Sequence, residues 1–218
     1  MTFVRICITI AILCNTPLEL VSKPMWKTLE NGNKKFVTNH EQVKRRNKVK
    51  DAQTPPCIVL SCADSRVPPE IIFDQELGQL FVVRTAGEVV DDVVVDSIEF
   101  AVRQFKSSTI VVLGHSNCGA VIGALDHLLA NDGVPDKPHG HYGAVLIPIE
   151  RAIIQAKIDI NAPDALEQAT QTNVRYMAEQ LISNSKTIKD AIKAKKLSIV
   201  GAEYYLDSGN VKKLFVIN

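Results

Sequence analysis

The sequence predicts an α/β fold: a central, mainly parallel β-sheet of about four strands, flanked by helices, with a further edge strand at the C-terminus. Short apolar runs alternate with longer segments of helical periodicity, as they do in βαβ units. The runs are apolar throughout rather than alternating, which is typical of strands buried on both faces. The length of 218 residues is within the range of one domain.

Residues 1–22 predict a signal peptide. The first five residues carry one basic side chain, residues 6–14 are apolar, and Pro17 follows. This nine-residue run is too short to span a bilayer, which needs about 20 residues, but it fits the apolar core of a signal peptide. The alternative is a buried N-terminal strand that stays on the protein. Cleavage would leave one mature domain, residues 23–218, in the periplasm or outside the cell; without it we expect a cytoplasmic protein.

Residues 23–54 predict a helical arm at the start of this domain. Apolar residues recur at mixed spacings of three and four between positions 25 and 50, and Pro55-Pro56 ends the segment. The arm carries eight basic residues between positions 27 and 50. We expect them to form a solvated helix face; the alternative is a surface for an anion or a membrane.

The rest of the chain alternates between strands and helices. Apolar runs predict strands at residues 57–60, 80–83, 110–113, 197–200 and 214–217. Helical segments are predicted at residues 92–105, 120–129, 144–158, 166–183 and 186–195. The Gly- and Pro-rich stretch 131–143, with His139 and His141, predicts a surface loop. We expect these two histidines to be solvated, or at most to transfer protons, rather than to bind a metal ion of their own.

Composition narrows the function classes. Apolar residues make up 46% and charged residues 22% of the chain, as in an ordinary globular protein. Basic residues number 25 and acidic residues 24, so no global field indicates a binder of nucleic acid or anionic membranes. Three cysteines lie beyond the apolar N-terminus, Cys57, Cys62 and Cys118, too few and too odd in number for a disulfide framework. We therefore expect a small-molecule partner and metal or redox chemistry.

Metal-ligating side chains follow the first and third predicted strands. Cys62, Asp64 and Arg66 continue from the first strand, and alternate residues of an extended segment project to the same side. His115 and Cys118 follow the third strand, where a helix begins. Ligands bind at the carboxyl ends of strands in an open parallel sheet, and the two strands can be neighbours. Zinc accepts these ligand types, so Cys62, His115 and Cys118 are candidate ligands, with Asp64 either a fourth ligand or a partner beside them.

Each of these residues alone has a simpler explanation. A lone Cys at a strand end is more often a core residue than a ligand, because free Cys is among the most buried residue types. His115 alone would more often be a histidine with satisfied hydrogen bonds. The motifs His-x-x-Cys and Cys-x-Asp-x-Arg at two adjacent strand ends are, however, hard to explain as packing. Cys57 is expected in the core, on the strand face opposite Cys62.

The stretch 61–70 (SCADSRVPPE), followed by 114–120 (GHSNCGA), resembles the β-class carbonic anhydrases, and the resemblance extends from Trp26 to Gly209. It implies the reversible hydration of carbon dioxide to bicarbonate and a proton by a zinc-bound hydroxide. It implies three zinc ligands and an Asp–Arg dyad that orients the hydroxide. The Asp of this dyad could become a fourth zinc ligand in an inactive state. By position the ligands are Cys62, His115 and Cys118, and the dyad is Asp64 and Arg66. A homodimer or a dimer-based tetramer, clasped by the N-terminal helices, is also implied.

Glu88 departs from the family pattern. It stands where the family often has Asn, and we expect a carboxylate at the surface or at an interface.

Three other functions stay open. The same site could act on carbon disulfide or carbonyl sulfide, or the chain could be a zinc-stabilised binding protein without catalysis. The Asp64–Arg66 dyad counts against the binding protein, because a structural site needs no oriented open position. A thiol oxidoreductase is disfavoured because the sequence has no Cys-x-x-Cys.

Overall fold

The computed structural model describes residues 25–131, 133–134 and 142–218. The predicted signal peptide and the loop histidines His139 and His141 lie outside these residues. The described residues divide into two compact units, the first ending at Asn47 and the second beginning at Lys48. None of the described helices is both long enough and apolar enough to cross a membrane.

The N-terminal arm forms two helices where the sequence predicted one continuous segment. Helix α1 spans Met25–Thr38 and α2 spans His40–Val49. Asn39 separates the two helices. Its side-chain oxygen accepts a hydrogen bond from the Gln42 N–H at 3.1 Å and so caps the start of α2. Asn side chains compete in this way for backbone groups and favour helix starts over helix interiors.

The main body is built around a five-stranded sheet of order β2-β1-β3-β4-β5. The strands are β1 (Cys57–Cys62), β2 (Leu80–Thr85), β3 (Thr109–His115), β4 (Ser198–Tyr204) and β5 (Val211–Ile217). The first four are parallel and β5 pairs antiparallel with β4. The predicted class, a mainly parallel sheet with a C-terminal edge strand, is confirmed. Strand β5 begins earlier than predicted because Lys212 and Lys213 interrupt its apolar pattern.

All five predicted helices are present. The helices of the main body are α3 (Pro69–Ile72), α4 (Asp92–Phe105), α5 (Gly119–Ala130), α6 (Gly143–Gln155), α7 (Ala165–Asn184) and α8 (Lys186–Lys193). Helix α4 has the predicted bounds, because the Asp91 side chain accepts a hydrogen bond from the Val94 N–H and fixes its start. The short helix α3 and a 3₁₀ turn at Ala86–Glu88 were not predicted.

The two faces of the sheet bury different apolar sets. On one face Leu60 and Cys62 join the larger core cluster, and on the other Cys57 packs against the smaller cluster around Val59. Cys57 is half-buried and lies opposite Cys62 as predicted, and burial raises the pKa of its thiol to about 11. Strands β1 and β3 are parallel neighbours with Ser61 beside Leu113, so the chain leaves both strands at one edge of the sheet.

Candidate metal centre

Two neighbouring strand ends and a helix start bring three metal-ligating side chains together. Cys62 is the last residue of β1, His115 is the last residue of β3, and Cys118 precedes α5. Asn117, with φ of 54°, turns the chain between strand and helix. The ligand atoms of the three side chains all lie within 4.8 Å of one another, and all three residues are buried. The sequence prediction that these residues converge is therefore met by the geometry.

The spacing and the hydrogen bonds of this cluster fit a metal ion. The sulfur atoms of Cys62 and Cys118 are 4.0 Å apart, against about 3.8 Å for two thiolates on a tetrahedral zinc with 2.3 Å bonds. His115 Nδ1 lies 2.9 Å from the Ser116 carbonyl oxygen and donates its proton there. The other ring nitrogen, Nε2, is buried and has no hydrogen-bond partner among the described residues. A cation would satisfy this orphaned acceptor.

The electrostatics of the two thiols also favour a cation. The Cys118 thiol and the backbone N–H groups of Asp64 and Gly87 hydrogen-bond to Cys62 Sγ, and with the His115 ring nearby they lower the pKa of Cys62. The bond between the two sulfurs raises the pKa of Cys118. The pair therefore releases one proton easily and retains the other. A bound metal ion would take the place of this second proton.

Beside the cluster, Asp64 and Arg66 form a bidentate ion pair. Arg66 donates from Nε to Asp64 Oδ1 at 3.0 Å and from Nη2 to Oδ2 at 2.7 Å, and its backbone N–H donates to Oδ1. These bonds lower the pKa of Asp64 to about 2, so the carboxylate is ionised at neutral pH. Its Oδ2 lies 4.0 Å from His115 Nε2. Asp64 thus stands next to the three-residue cluster while bonded to Arg66.

Arg84 holds the backbone that carries two of these residues. From β2 it donates to the carbonyl oxygen of Cys62 at 2.9 Å and to that of Asp64 at 2.5 Å. Sequence reasoning assigned it no part in the site. The parallel register explains its position, because Arg84 lies beside Ser61 at the end of β1. A cationic residue at the end of an apolar strand is the feature that would have indicated it.

Glu88 is not at the surface, and that expectation was wrong. Its side chain is 1% exposed. Gly87 and Glu88 both have positive φ, 64° and 45°, and reverse the chain after β2. The reversal places the Glu88 carboxyl against Asn173 of α7, whose Nδ2 donates to Oε1 at 2.7 Å. Burial, and then the negative charge of Cys62, raise the pKa of Glu88 to about 8, so the carboxyl is neutral at pH 7.

Comparison with known proteins assigns this constellation to a family. A family model described as carbonic anhydrase matches residues 57–211. Carbonic anhydrase 2 of Mycobacterium tuberculosis is 39% identical over 189 residues, which cover 84% of this chain and 88% of the relative. The chain belongs to the β-carbonic anhydrase family.

Solved β-carbonic anhydrases share its fold. CafA of Aspergillus fumigatus superposes with a TM-score of 0.75 at 24% identity, over 87% of this chain and 90% of that chain. One chain from a study of two tetrameric β-carbonic anhydrases of Sordaria macrospora gives a TM-score of 0.72 at 26% identity, over 87% and 95%. The predicted family and the predicted enzyme class, a carbonic anhydrase, are confirmed. The β-carbonic anhydrases are metalloenzymes, and the Cys62, His115 and Cys118 cluster is a group of this chain that could bind the metal.

Proposed function

We propose that the chain catalyses the reversible hydration of carbon dioxide to bicarbonate and a proton at a zinc ion held by Cys62, His115 and Cys118. The Asp64–Arg66 pair orients the nucleophile. The observation that carries this proposal is a buried Cys-His-Cys cluster with an ionised carboxylate beside it, 4.0 Å from His115 Nε2. Three protein ligands with a further position left open are typical of catalytic zinc sites, whereas four are typical of structural ones.

The residues around the cluster divide the work of the reaction. Bound zinc would acidify a water molecule so that a hydroxide nucleophile is available near neutral pH. Ser116 fixes the tautomer of His115 and turns Nε2 towards the cluster. Asp64 stays ionised and accepts a hydrogen bond from the nucleophile, which fixes its orientation towards the carbon of the substrate. Carbon dioxide is apolar, so the chain needs few groups to bind it.

Arg66 keeps Asp64 in this role. Its guanidinium is a planar fork that matches both carboxylate oxygens, and its backbone N–H adds a third bond. Asp64 would have to give up its two side-chain bonds to Arg66 to move onto the metal as a fourth ligand. We propose that such a movement, which closes the open position, is the inactive state of the enzyme. A water molecule on zinc beside an intact Asp64–Arg66 pair in crystals grown at low pH would contradict it.

Stopped-flow carbon dioxide hydration by the zinc-loaded chain, with bound zinc counted on the same sample, tests the function. We expect one zinc per chain and fast hydration. Asp64→Asn should lower the rate by about 100-fold or more, the range of a positioned proton acceptor. Asp126→Asn, at an exposed position on α5, is the matched control and should leave the rate unchanged. Full zinc occupancy without hydration at any pH would contradict the proposal and favour another small substrate or a zinc-stabilised binding protein.

We propose that the active form is a homodimer or a dimer-based tetramer. Support comes from the tetrameric β-carbonic anhydrases of Sordaria macrospora, which share the fold and superpose over 87% of this chain. Light scattering coupled to size-exclusion chromatography should give a mass of two or four chains. A mass of one chain, about 24 kDa, across the accessible concentration range would contradict it.

We propose that residues 1–22 direct export to the periplasm or outside the cell. The apolar run at residues 6–14 and its basic flank support this proposal. Fusion of the full chain to a reporter that is active only after export should give a signal, and deletion of residues 2–22 should abolish it. An inactive full-length fusion would favour the cytoplasmic alternative.

A further inference from the structure

A fully buried amide on α7 holds the turn that follows β2. Asn173 is 0% exposed, and its Nδ2 donates to the Gly87 carbonyl oxygen at 2.9 Å and to Glu88 Oε1 at 2.7 Å. The Gly87 carbonyl can only accept, so the NH₂ side of the amide must face it and the amide orientation is settled. Both protons of one amide group are therefore used on two consecutive residues of the turn.

The backbone of this turn needs such support. Gly87 and Glu88 are consecutive residues in the left-handed region, which glycine adopts readily and other residues rarely. Conformations of this kind persist where the surroundings hold them. The turn is also enclosed by apolar side chains, since a Cβ on Gly87 would meet Ile149 Cδ1 at 2.8 Å and Ala120 Cβ at 3.0 Å. Asn173 supplies polar contacts that these neighbours cannot.

The same turn also contacts the Cys62, His115 and Cys118 cluster through the backbone of Gly87. The Gly87 N–H donates to Cys62 Sγ at 3.4 Å. The direction of the Gly87 N–H depends on the φ angle of Gly87, the residue whose carbonyl oxygen accepts a hydrogen bond from Asn173. A hydrogen bond to a ligating thiolate withdraws charge from the sulfur and orients its lone pairs, and partners of this kind tune how a site binds its metal.

We propose that Asn173 is a positioning residue for the metal centre: it holds the Gly87–Glu88 turn so that the Gly87 N–H stays on the sulfur of Cys62. The inference rests on the metal site of the proposed function. It assigns a role to a residue on α7, a helix that carries none of the proposed zinc ligands.

Three variants separate this role from a general effect on stability. Asn173→Leu keeps the side-chain size and removes both donors. Thr170→Val is the matched control, because Thr170 is also buried on α7 and its hydroxyl donates to Leu166 O within the same helix. Glu88→Gln keeps an oxygen that can accept from Asn173.

Zinc affinity is measured by competition with a chelator of known affinity, and the cobalt-substituted proteins are compared by their thiolate-to-cobalt absorption. Asn173→Leu should weaken zinc binding by about tenfold to 100-fold, as is typical when a partner of a metal ligand is lost, and should shift the absorption band. Thr170→Val and Glu88→Gln should retain the wild-type affinity and band. A folded Asn173→Leu with wild-type affinity and an unmoved band would overturn the proposal.

A measurement on the wild-type chain covers the case in which Asn173→Leu does not fold. With ¹⁵N-labelled protein loaded with ¹¹³Cd, the Gly87 amide should show scalar coupling to the metal through the hydrogen bond to sulfur. A resolved coupling supports the proposal and its absence overturns it. Wild-type protein that binds no zinc at all would instead contradict the proposed function itself, so the two failures are distinguishable.

Discussion

Replacing Glu88 by Gln should remove a pH dependence of stability without changing the shape of a buried side chain. Burial raises the pKa of Glu88 from 4.5 to about 8. Between these values the native state holds a proton that the unfolded chain has released. The contribution of Glu88 to stability is therefore fully present below about pH 4.5 and is lost as the pH rises towards 8.

The size of the effect follows from the shift in pKa. One pH unit between the two values corresponds to about 1.4 kcal/mol, which gives roughly 3 kcal/mol from pH 4.5 to pH 7. The charge of Cys62 is the second cause of the raised pKa, and a cation on its sulfur would offset this part. We therefore expect Glu88→Gln to gain about 2 to 3 kcal/mol over the wild type between pH 4.5 and pH 7.

Urea denaturation of the zinc-loaded proteins, followed by circular dichroism at one protein concentration between pH 5 and pH 8, measures this difference. Glu179→Gln removes an exposed carboxylate from the same helix as Asn173 and is the control for loss of charge alone. Its stability should follow the wild-type pH dependence. Parallel pH curves for the wild type and Glu88→Gln would refute the reasoning, because the buried carboxyl would then not be held neutral.

Three further predictions concern the candidate site. Arg66→Met frees Asp64 from two side-chain bonds and should lower stopped-flow hydration by about tenfold or more; an unchanged rate would show that Asp64 needs no holder. Arg84→Met leaves the carbonyl oxygens of Cys62 and Asp64 without this donor, and chelator competition should show about tenfold weaker zinc binding, whereas wild-type affinity would contradict a positioning role. Removing zinc with a chelator should lower the melting temperature, and zinc restored to about 1,000 times its Kd should return about 4 kcal/mol; an unchanged melting curve would mean that the folded cluster does not hold the ion.

Much of the fold and of the cluster could be predicted because the relevant patterns are local. The buried strands are continuous apolar runs, and the start of α4 depends on the adjacent residue Asp91, whose side chain accepts a hydrogen bond from the Val94 N–H. The ligands His115 and Cys118 are three residues apart at a strand end, and Asp64 lies two residues after Cys62. From the sequence, β1 and β3 were only possible neighbours, and the structure shows that they pair.

The residues that sequence reasoning missed depend on contacts between distant segments. Glu88 is buried because a turn with two positive φ angles meets α7, and its partner Asn173 is 85 residues away in the chain. Arg84 reaches the site through the strand register, which apolar patterning leaves undetermined. The break at Asn39 depends on one capping bond within a segment whose apolar spacing is helical on both sides.

The distance in sequence between Cys62 and Cys118 determines whether their sulfur atoms can meet before the strands pair. Cys62 and Cys118 are 56 residues apart, and closing a loop of that length in an unfolded chain costs about 2.6 kcal/mol more than closing one of three residues. Chains whose cysteines lie a few residues apart can capture metal early and fold around it. Here β1 and β3 must pair before the two sulfurs meet, so the apolar core has to form first. Under the proposed function, Cys62 joins His115 and Cys118, which are only three residues apart, once the strands have paired, so an ion meets the complete set of three ligands in an already folded core.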